Sequence, residues 1–260
     1  MLLEAAAPYV RSGALAGIRI STRPDAIDRE VLEFLKAYGV TTVELGAQSM
    51  DDTVLTACRR GHTAKQVEQA AELIRTAGLS LGLQMMTGLP GDTDEGAVKT
   101  AQKLAALQPD EVRIYPTLVI EGSPLAEQYR AGTYVPQTLE QAVALCVRLL
   151  TFFEEERGIP VIRVGLHAEE DMMRHCIAGP LHPAFRELCE SRIFRKKAEK
   201  IVKNSEKQPI VLAVNPACVS RMVGHRRENL TAFMNDGYRV KVVADSEVAY
   251  GDIKRREVTT

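Results

Sequence analysis

The sequence predicts an α/β fold: parallel strands alternating with helices as in a partial (β/α) barrel, followed by a small C-terminal α/β appendage. Three observations carry this expectation. Short strand-like runs recur between helical stretches, at Gly17–Thr22, Thr42–Gln48, Leu79–Met86 and Val112–Leu118. Each run is apolar on one side and polar on the other. The alternation then changes character after Gly158. Strand–helix–strand repetition implies parallel strands joined by right-handed crossovers.

The intervening helices announce themselves by periodicity and by their ends. Asp25–Tyr38 places Ile27, Val31, Phe34, Leu35 and Tyr38 on one face and stops at Gly39. Thr63–Ala77 opens on a threonine cap and stops at Gly78. Thr93–Leu107 follows a turn, and Thr138–Arg157 begins with Thr138 and Gln141 at capping-box spacing. Beyond Gly158, "IPVIRVGLHA" reads as one more strand and "AGPLHPAFRELCESRIFRKKAEKIVK" as helical. "PIVLAVNP", a helix over Cys218–Asn235 and "YRVKVVADS" form the appendage. The expected divisions are a barrel part at 1–166, a helical connector at 167–205 and the appendage at 206–260.

Side-chain parity says which face of the strands does chemistry. Arg19, Ser21 and Arg23 share one side, as do Glu44, Gly46 and Gln48, then Gly82, Gln84 and Met86, then Arg113, Tyr115 and Thr117. The opposite sides read Ile18 and Ile20, Val43 and Leu45, Leu81 and Leu83, Val112 and Ile114. In a barrel the apolar sides face the helices and the others face inward. A charged interior needs partners or a ligand. A ligand-filled polar interior is the favoured reading, and an internal ion-pair network such as Glu44 with Arg113 is its alternative. The last residue of each polar set falls at the carboxyl ends of the strands, where barrels carry their sites. Arg23, Gln48 and the turn "TGLPGDT" (Thr87–Thr93) lie there, the turn serving either an anion or adenine ring, or nothing beyond chain reversal with Pro90 at its second position.

Composition bounds the remainder. The chain has 260 residues, 45% hydrophobic and 26% charged, with net charge -1, so no overall field draws it to nucleic acid or membrane. No apolar run is long enough for a membrane span, and "MLLEAAAPYV" does not read as a secretory leader, so a cytoplasmic location is expected. The five cysteines contain no C-x-x-C pair, which argues against a disulfide framework and against a local metal site. His167, His175 and His182 share a segment with Cys176 but read better as surface and capping residues. The basic run Arg192–Lys203 is either a solvated helix or a face that tracks phosphates.

Four stretches in order, "IRISTRPDAID", "VELGAQSMDDTVLTACRRGHT", "LQMMTGLPGDT" and "PDEVRIYPTLVIEGSPLAEQYRAGTYVP", resemble the radical S-adenosylmethionine enzymes. The similarity is to the branch containing the catalytic subunit of Elongator and its shorter bacterial relatives, and it spans about Gly17 to Leu166. "AGPLHPAFRELCESRIFR" resembles the tail of the bacterial relatives. The resemblance implies a radical-SAM type partial barrel, S-adenosylmethionine and a 4Fe–4S cluster as cofactors, an electron donor, and transfer RNA as a partner. It implies cofactor contacts from Gln48 and Arg60, from Ser21 and Gln84 near the ribose, from Met86 and Gly88 at the adenine, and from Arg23 to a carboxylate or phosphate. Glu44, Arg113 and Tyr115 would line the substrate cavity. Ser21 departs from the family, which commonly has a carboxylate there.

No three closely spaced cysteines are present, so no metal ligand and no catalytic residue is assigned. The similarity starts at what would be the family's third strand. The expectation is therefore an N-terminally truncated barrel lacking its first two units and the cluster loop, inactive alone, and open to self-association through its uncovered strand edge. Nothing after Gly165 resembles an acetyl-coenzyme A loop. A non-catalytic RNA-binding module derived from the same barrel is the alternative, supported by Arg192–Lys203 with Arg226 and Arg227.

Overall fold

The computed structural model describes residues 2–166, 169–205 and 209–256. The chain divides into two compact units, Met1–Pro183 and Ala184–Thr260. The first unit begins with α1 (Leu2–Arg11), β1 (Ile18–Thr22), α2 (Arg29–Ala37) and β2 (Val40–Gln48). It continues with α3 (Asp52–Ala57), α4 (Ala64–Thr76), β3 (Ser80–Thr87), α5 (Asp94–Ala106) and β4 (Glu111–Pro116). Then come β5 (Val119–Ile120), α6 (Pro124–Arg130), α7 (Leu139–Leu150), β6 (Val161–Val164), α8 (Glu170–His175) and β7 (Cys176–Ala178). The main sheet has the order β1-β2-β3-β4-β6, and every neighbouring pair in it is parallel. β5 and β7 form a separate antiparallel pair.

The helix starts follow the local chemistry. Thr63 and Thr138 each close a capping box, with Gln66 and Gln141. The Thr93 hydroxyl accepts from the Gly96 amide to start α5. α7 continues as a π-helical turn over Thr151–Glu156, which delivers Phe153 into the core. The apolar strand residues Val43, Leu45, Leu81, Leu83, Val112 and Ile114 are fully buried, as are Val67, Ala71 and Ile74 of α4 and Ala97, Ala101 and Leu104 of α5. The apolar side of the sheet is thus the helix-covered side, as parity required.

Two expectations are corrected here. The helix expected from Asp25 starts instead after Asp28, whose carboxylate accepts from Val31 N at 2.8 Å; Pro24–Ala26 forms a separate 3-10 turn. Its buried stripe is Leu32 and Leu35, while Phe34 is 54% exposed and rests on Tyr38 at 4.8 Å between ring centroids. The strand expected to run to Ala168 ends at Val164; His167 and Ala168 lie outside the described residues.

The second unit contains α9 (Phe185–Lys203), β8 (Ile210–Val214), α10 (Val219–Val223), α11 (Glu228–Asn235), β9 (Val240–Ala244) and β10 (Ile253–Arg256). Its sheet runs β10-β8-β9, with β8 and β9 parallel and β10 antiparallel to β8. α9, expected as a connector, contributes Phe194, Ala198 and Val202 to one core with Ile210, Leu212, Val214, Met222 and Phe233. The single helix expected over Cys218–Asn235 is broken. Gly224 at φ +85° and Arg226 and Arg227 in the left-handed region reverse the chain between α10 and α11. Among the described residues no helix is long and apolar enough to cross a membrane.

Candidate functional site

The polar sides of the parallel strands share one face and meet in rows. Ser21, Glu44, Gly82 and Glu111 are register neighbours across β1 to β4. Gly46, Gln84, Arg113 and Arg163 form the next row across β2, β3, β4 and β6. Met86 and Tyr115 follow toward the carboxyl ends.

Glu44 is the hub of the first row. Only 2% of its side chain is exposed, and Arg19 pairs with it and with Glu111. Ser21 Oγ donates to Glu44 Oε1 at 2.9 Å. Arg113 Nε lies 3.0 Å from Glu44 Oε2, a charge contact off the hydrogen-bond line, and Nη1 of Arg113 reaches Tyr115 Oη at 3.5 Å. The ion pair of Glu44 with Arg113, the sequence's alternative reading, is therefore present. Gly82 leaves room for it: a Cβ there would stand 3.1 Å from Arg19 Nη2 and 3.3 Å from both Glu111 Oε1 and Glu44 Cβ. Arg19 and Arg113 pair with Glu44, and Arg19 also with Glu111, while Arg163 is the register neighbour of Arg113 on β6. The Nε atoms of Arg19 and Arg113 are buried without a hydrogen-bond partner among the described residues.

Nearer the carboxyl ends the contacts become neutral. Gln48 ends β2 at φ +65°, a conformation that costs a non-glycine residue about 1 kcal/mol or more. Its amide folds back over Gly46, where a Cβ would stand 2.6 Å from Gln48 Nε2, and its Oε1 accepts from Gln84 Nε2 at 2.9 Å. Arg60 Nη2 lies 3.1 Å from Met86 Sδ. Gly88, at φ +69°, is covered by Gln137, and its carbonyl accepts from Tyr134 Oη at 2.7 Å. Burial pushes the Tyr134 phenol up to about 12. His62 is buried, with Nε2 3.2 Å from Ala47 O. Asp92 in the same turn has one oxygen on Thr93 N at 2.8 Å and the other buried without a partner among the described residues; burial raises its carboxyl. Burial likewise raises the Cys58 thiol, 4.0 Å from Pro90 O.

The structure thus brings together Ser21, Glu44, Arg113 and Tyr115 in one network, Gln48 with Gln84, and Arg60 with Met86. Arg23 stands apart from these: it is 60% exposed and gives its two-pronged contact to Asp25 at 2.9 and 2.7 Å. That contact raises Arg23 and holds the Asp25 carboxyl low. Sequence reasoning missed Glu111 and Arg163, which strand parity would have found had β4 been started one residue earlier and β6 been read for its sides. It also missed Tyr134 and Gln137, which come from irregular chain with no periodic signal. Among the described residues no three His, Cys, Asp or Glu side chains form a metal-holding group, and Cys146, Cys189 and Cys218 are buried.

A helix-covered parallel sheet with a polar face and its loops at the carboxyl ends defines a (β/α)-barrel class of protein. The sequence matches the Radical SAM superfamily over residues 2–104 and the Radical_SAM C-terminal domain over residues 109–195. The chain belongs to the radical SAM superfamily. It is 38% identical over 130 residues to the tRNA uridine(34) acetyltransferase of Methanocaldococcus jannaschii, covering 48% of this chain and 24% of that protein. It is 32% identical over 168 residues to human Elongator complex protein 3, covering 61% of this chain and 31% of that one. Among solved structures, the archaeal Methanocaldococcus infernus Elp3 with an N-terminal deletion superposes with a TM-score of 0.60 at 29% identity, over 69% of this chain and 42% of that one. The chain spans about a quarter to a third of the length of these curated relatives.

Proposed function

We propose that this chain forms the nucleoside-holding side of a radical S-adenosylmethionine enzyme acting on uridine in transfer RNA. The observation that carries the reading is the Gln48–Gln84 contact over Gly46 at the carboxyl ends of parallel strands, held at the cost of a left-handed Gln48. Amide groups at such a place match the hydrogen-bonding edges of an adenosine, and the Nε of Arg19, buried without a hydrogen-bond partner among the described residues, suits a polar ligand on the same face. S-adenosylmethionine, when bound, supplies an adenosyl group for hydrogen abstraction. Ser21, Gln48 and Gln84 would hold its sugar and amino acid portions, and Arg60, Met86 and Gly88 its base. Glu44, Arg113 and Tyr115 would orient the substrate, with Glu44 keeping both guanidinium groups fixed. The transfer RNA assignment is supported by the name of the Methanocaldococcus jannaschii relative.

The described residues do not fit a 4Fe–4S cluster, because no three thiols converge among them. We infer that this chain alone does not cleave the cofactor. The test is equilibrium dialysis of labelled S-adenosylmethionine against the full chain under anaerobic conditions, alongside iron–sulfur reconstitution and a 5′-deoxyadenosine assay. The expected result is cofactor binding weakened about tenfold or more by Gln48→Ala with Gln84→Ala, and no 5′-deoxyadenosine. Binding indifferent to both substitutions would overturn the site, and 5′-deoxyadenosine formation would overturn the inference that the chain is inactive alone.

A further inference from the structure

We propose that the second unit carries a groove for single-stranded RNA, built by the Gly224–Arg227 turn, α11 and the start of β9. The inference goes beyond the barrel chemistry above and does not depend on it.

Charge gives the first argument. Residues 184–260 carry 16 Lys and Arg against 10 Asp and Glu, whereas residues 1–183 carry 17 against 24. The near-neutral total therefore hides a basic unit, to which a polyanion is drawn. The second argument is a groove of about 260 Å³ in that unit, with Arg227, Arg239 and Lys241 on its walls and Leu230, Met234 and Tyr238 as its apolar lining. Met234, 64% exposed, gives the groove an accessible apolar surface against which a base can pack. Cations beside apolar surface match a phosphate backbone with unstacked bases.

The third argument is the turn itself. It joins two helices in a β8–α10–turn–α11–β9 arrangement whose strands are parallel neighbours. KH modules grip the backbone of about four nucleotides with a G-x-x-G loop. Here the loop reads Gly224-His225-Arg226-Arg227, and Arg227, at φ +65°, takes a conformation usually left to glycine. The turn is fixed before any ligand arrives. Asn229 is 1% exposed, and its amide nitrogen lies 3.0 to 3.2 Å from the carbonyls of Ser191, Arg221 and Met222. A Cβ on Gly224 would stand 3.0 Å from Asn229 Cγ. A preorganised loop spares the ordering cost on binding. By contrast, α9 has Arg195 paired with Glu199 at 3.0 Å, and Lys197 donates to Gly251 O at 3.1 Å. The RNA contact is therefore assigned to the turn and groove.

The test is fluorescence anisotropy of a labelled mixed-sequence single-stranded RNA of about twelve nucleotides with the full chain, across a salt series. Binding is expected at low salt. Arg226→Glu with Arg227→Glu should weaken it about tenfold or more and lower the slope of log affinity against log salt by about 1.4, for two lost contacts. Lys241→Glu should have a smaller effect, about threefold. Lys65→Glu with Lys99→Glu, exposed positions in the first unit, should leave affinity within about twofold after the general charge change. These positions are all exposed, and circular dichroism checks that each variant is folded. No binding at low salt would overturn the proposal, as would equal losses in the Lys65 and Lys99 variant. Equal or tighter binding to a blunt duplex, or to single-stranded DNA of the same sequence, would overturn the single-stranded RNA assignment. The assay contains no S-adenosylmethionine, so its failure would leave the barrel reading intact.

Discussion

The two units treat charge in opposite ways. In Met1–Pro183, arginine and glutamate stand on the polar face of a parallel sheet, and Glu44 gathers Arg19, Arg113 and Ser21 around itself. In Ala184–Thr260 the interior is almost wholly apolar, and Arg226, Arg227, Arg239 and Lys241 are exposed. The physical reason is desolvation. A half-buried charge must find an opposite charge or a ligand, which gives the first unit a defined network. A surface charge remains hydrated, so the second unit can accumulate like charges and use them on a polyanion.

The largest way to break this contrast is Gly82→Val. Its side chain would enter the space held by Arg19, Glu111 and Glu44, and should cost the first unit about 3 kcal/mol. Thermal unfolding followed by circular dichroism should show an early transition for part of the signal. An unchanged transition would mean the network is not tightly packed. Glu44→Leu comes next. It strands the Arg113 guanidinium and leaves Arg19 with Glu111 alone, and because both arginines are about a quarter exposed the cost of the broken buried pair is reduced to about 2 kcal/mol, read from urea denaturation. Glu44→Gln should cost less, because the amide oxygen still accepts from Ser21 or Arg19. The matching break in the second unit is Asn229→Ala, which leaves buried carbonyls unpartnered at about 1 to 2 kcal/mol. It should also weaken RNA binding while leaving S-adenosylmethionine binding unchanged, and a parallel loss of both would contradict the independence of the two sites.

The smallest effect concerns pH. Burial raises the Asp92 carboxyl above its ordinary value of 3.8, so the native state holds its proton more tightly than the unfolded chain. Stability therefore falls as pH rises through the interval between the two values. Asp92→Asn should raise the melting temperature at pH 7 by about 2 °C, and the gain should vanish near pH 4. A gain that persists there would assign the effect to something other than ionisation.

The sequence alone determined the strand–helix order, the parallel sheet and the face on which polar residues would lie. Those features are local: a period of two in strands, caps at Thr63, Thr93 and Thr138, and glycines after helices are all written in neighbouring residues. It also placed Gln48, Gln84, Arg60 and Met86 near one another through the resemblance, and Glu44 beside Arg113 as an alternative. Only the tertiary structure decided that Glu44 serves three partners at once, that Arg23 spends its guanidinium on Asp25, and that Tyr134 and Gln137 close over Gly88. It alone split the expected Cys218–Asn235 helix, where Asn229 draws together carbonyls from two other segments. Such choices depend on which groups compete for the same few ångströms, and residues distant in the chain settle that competition.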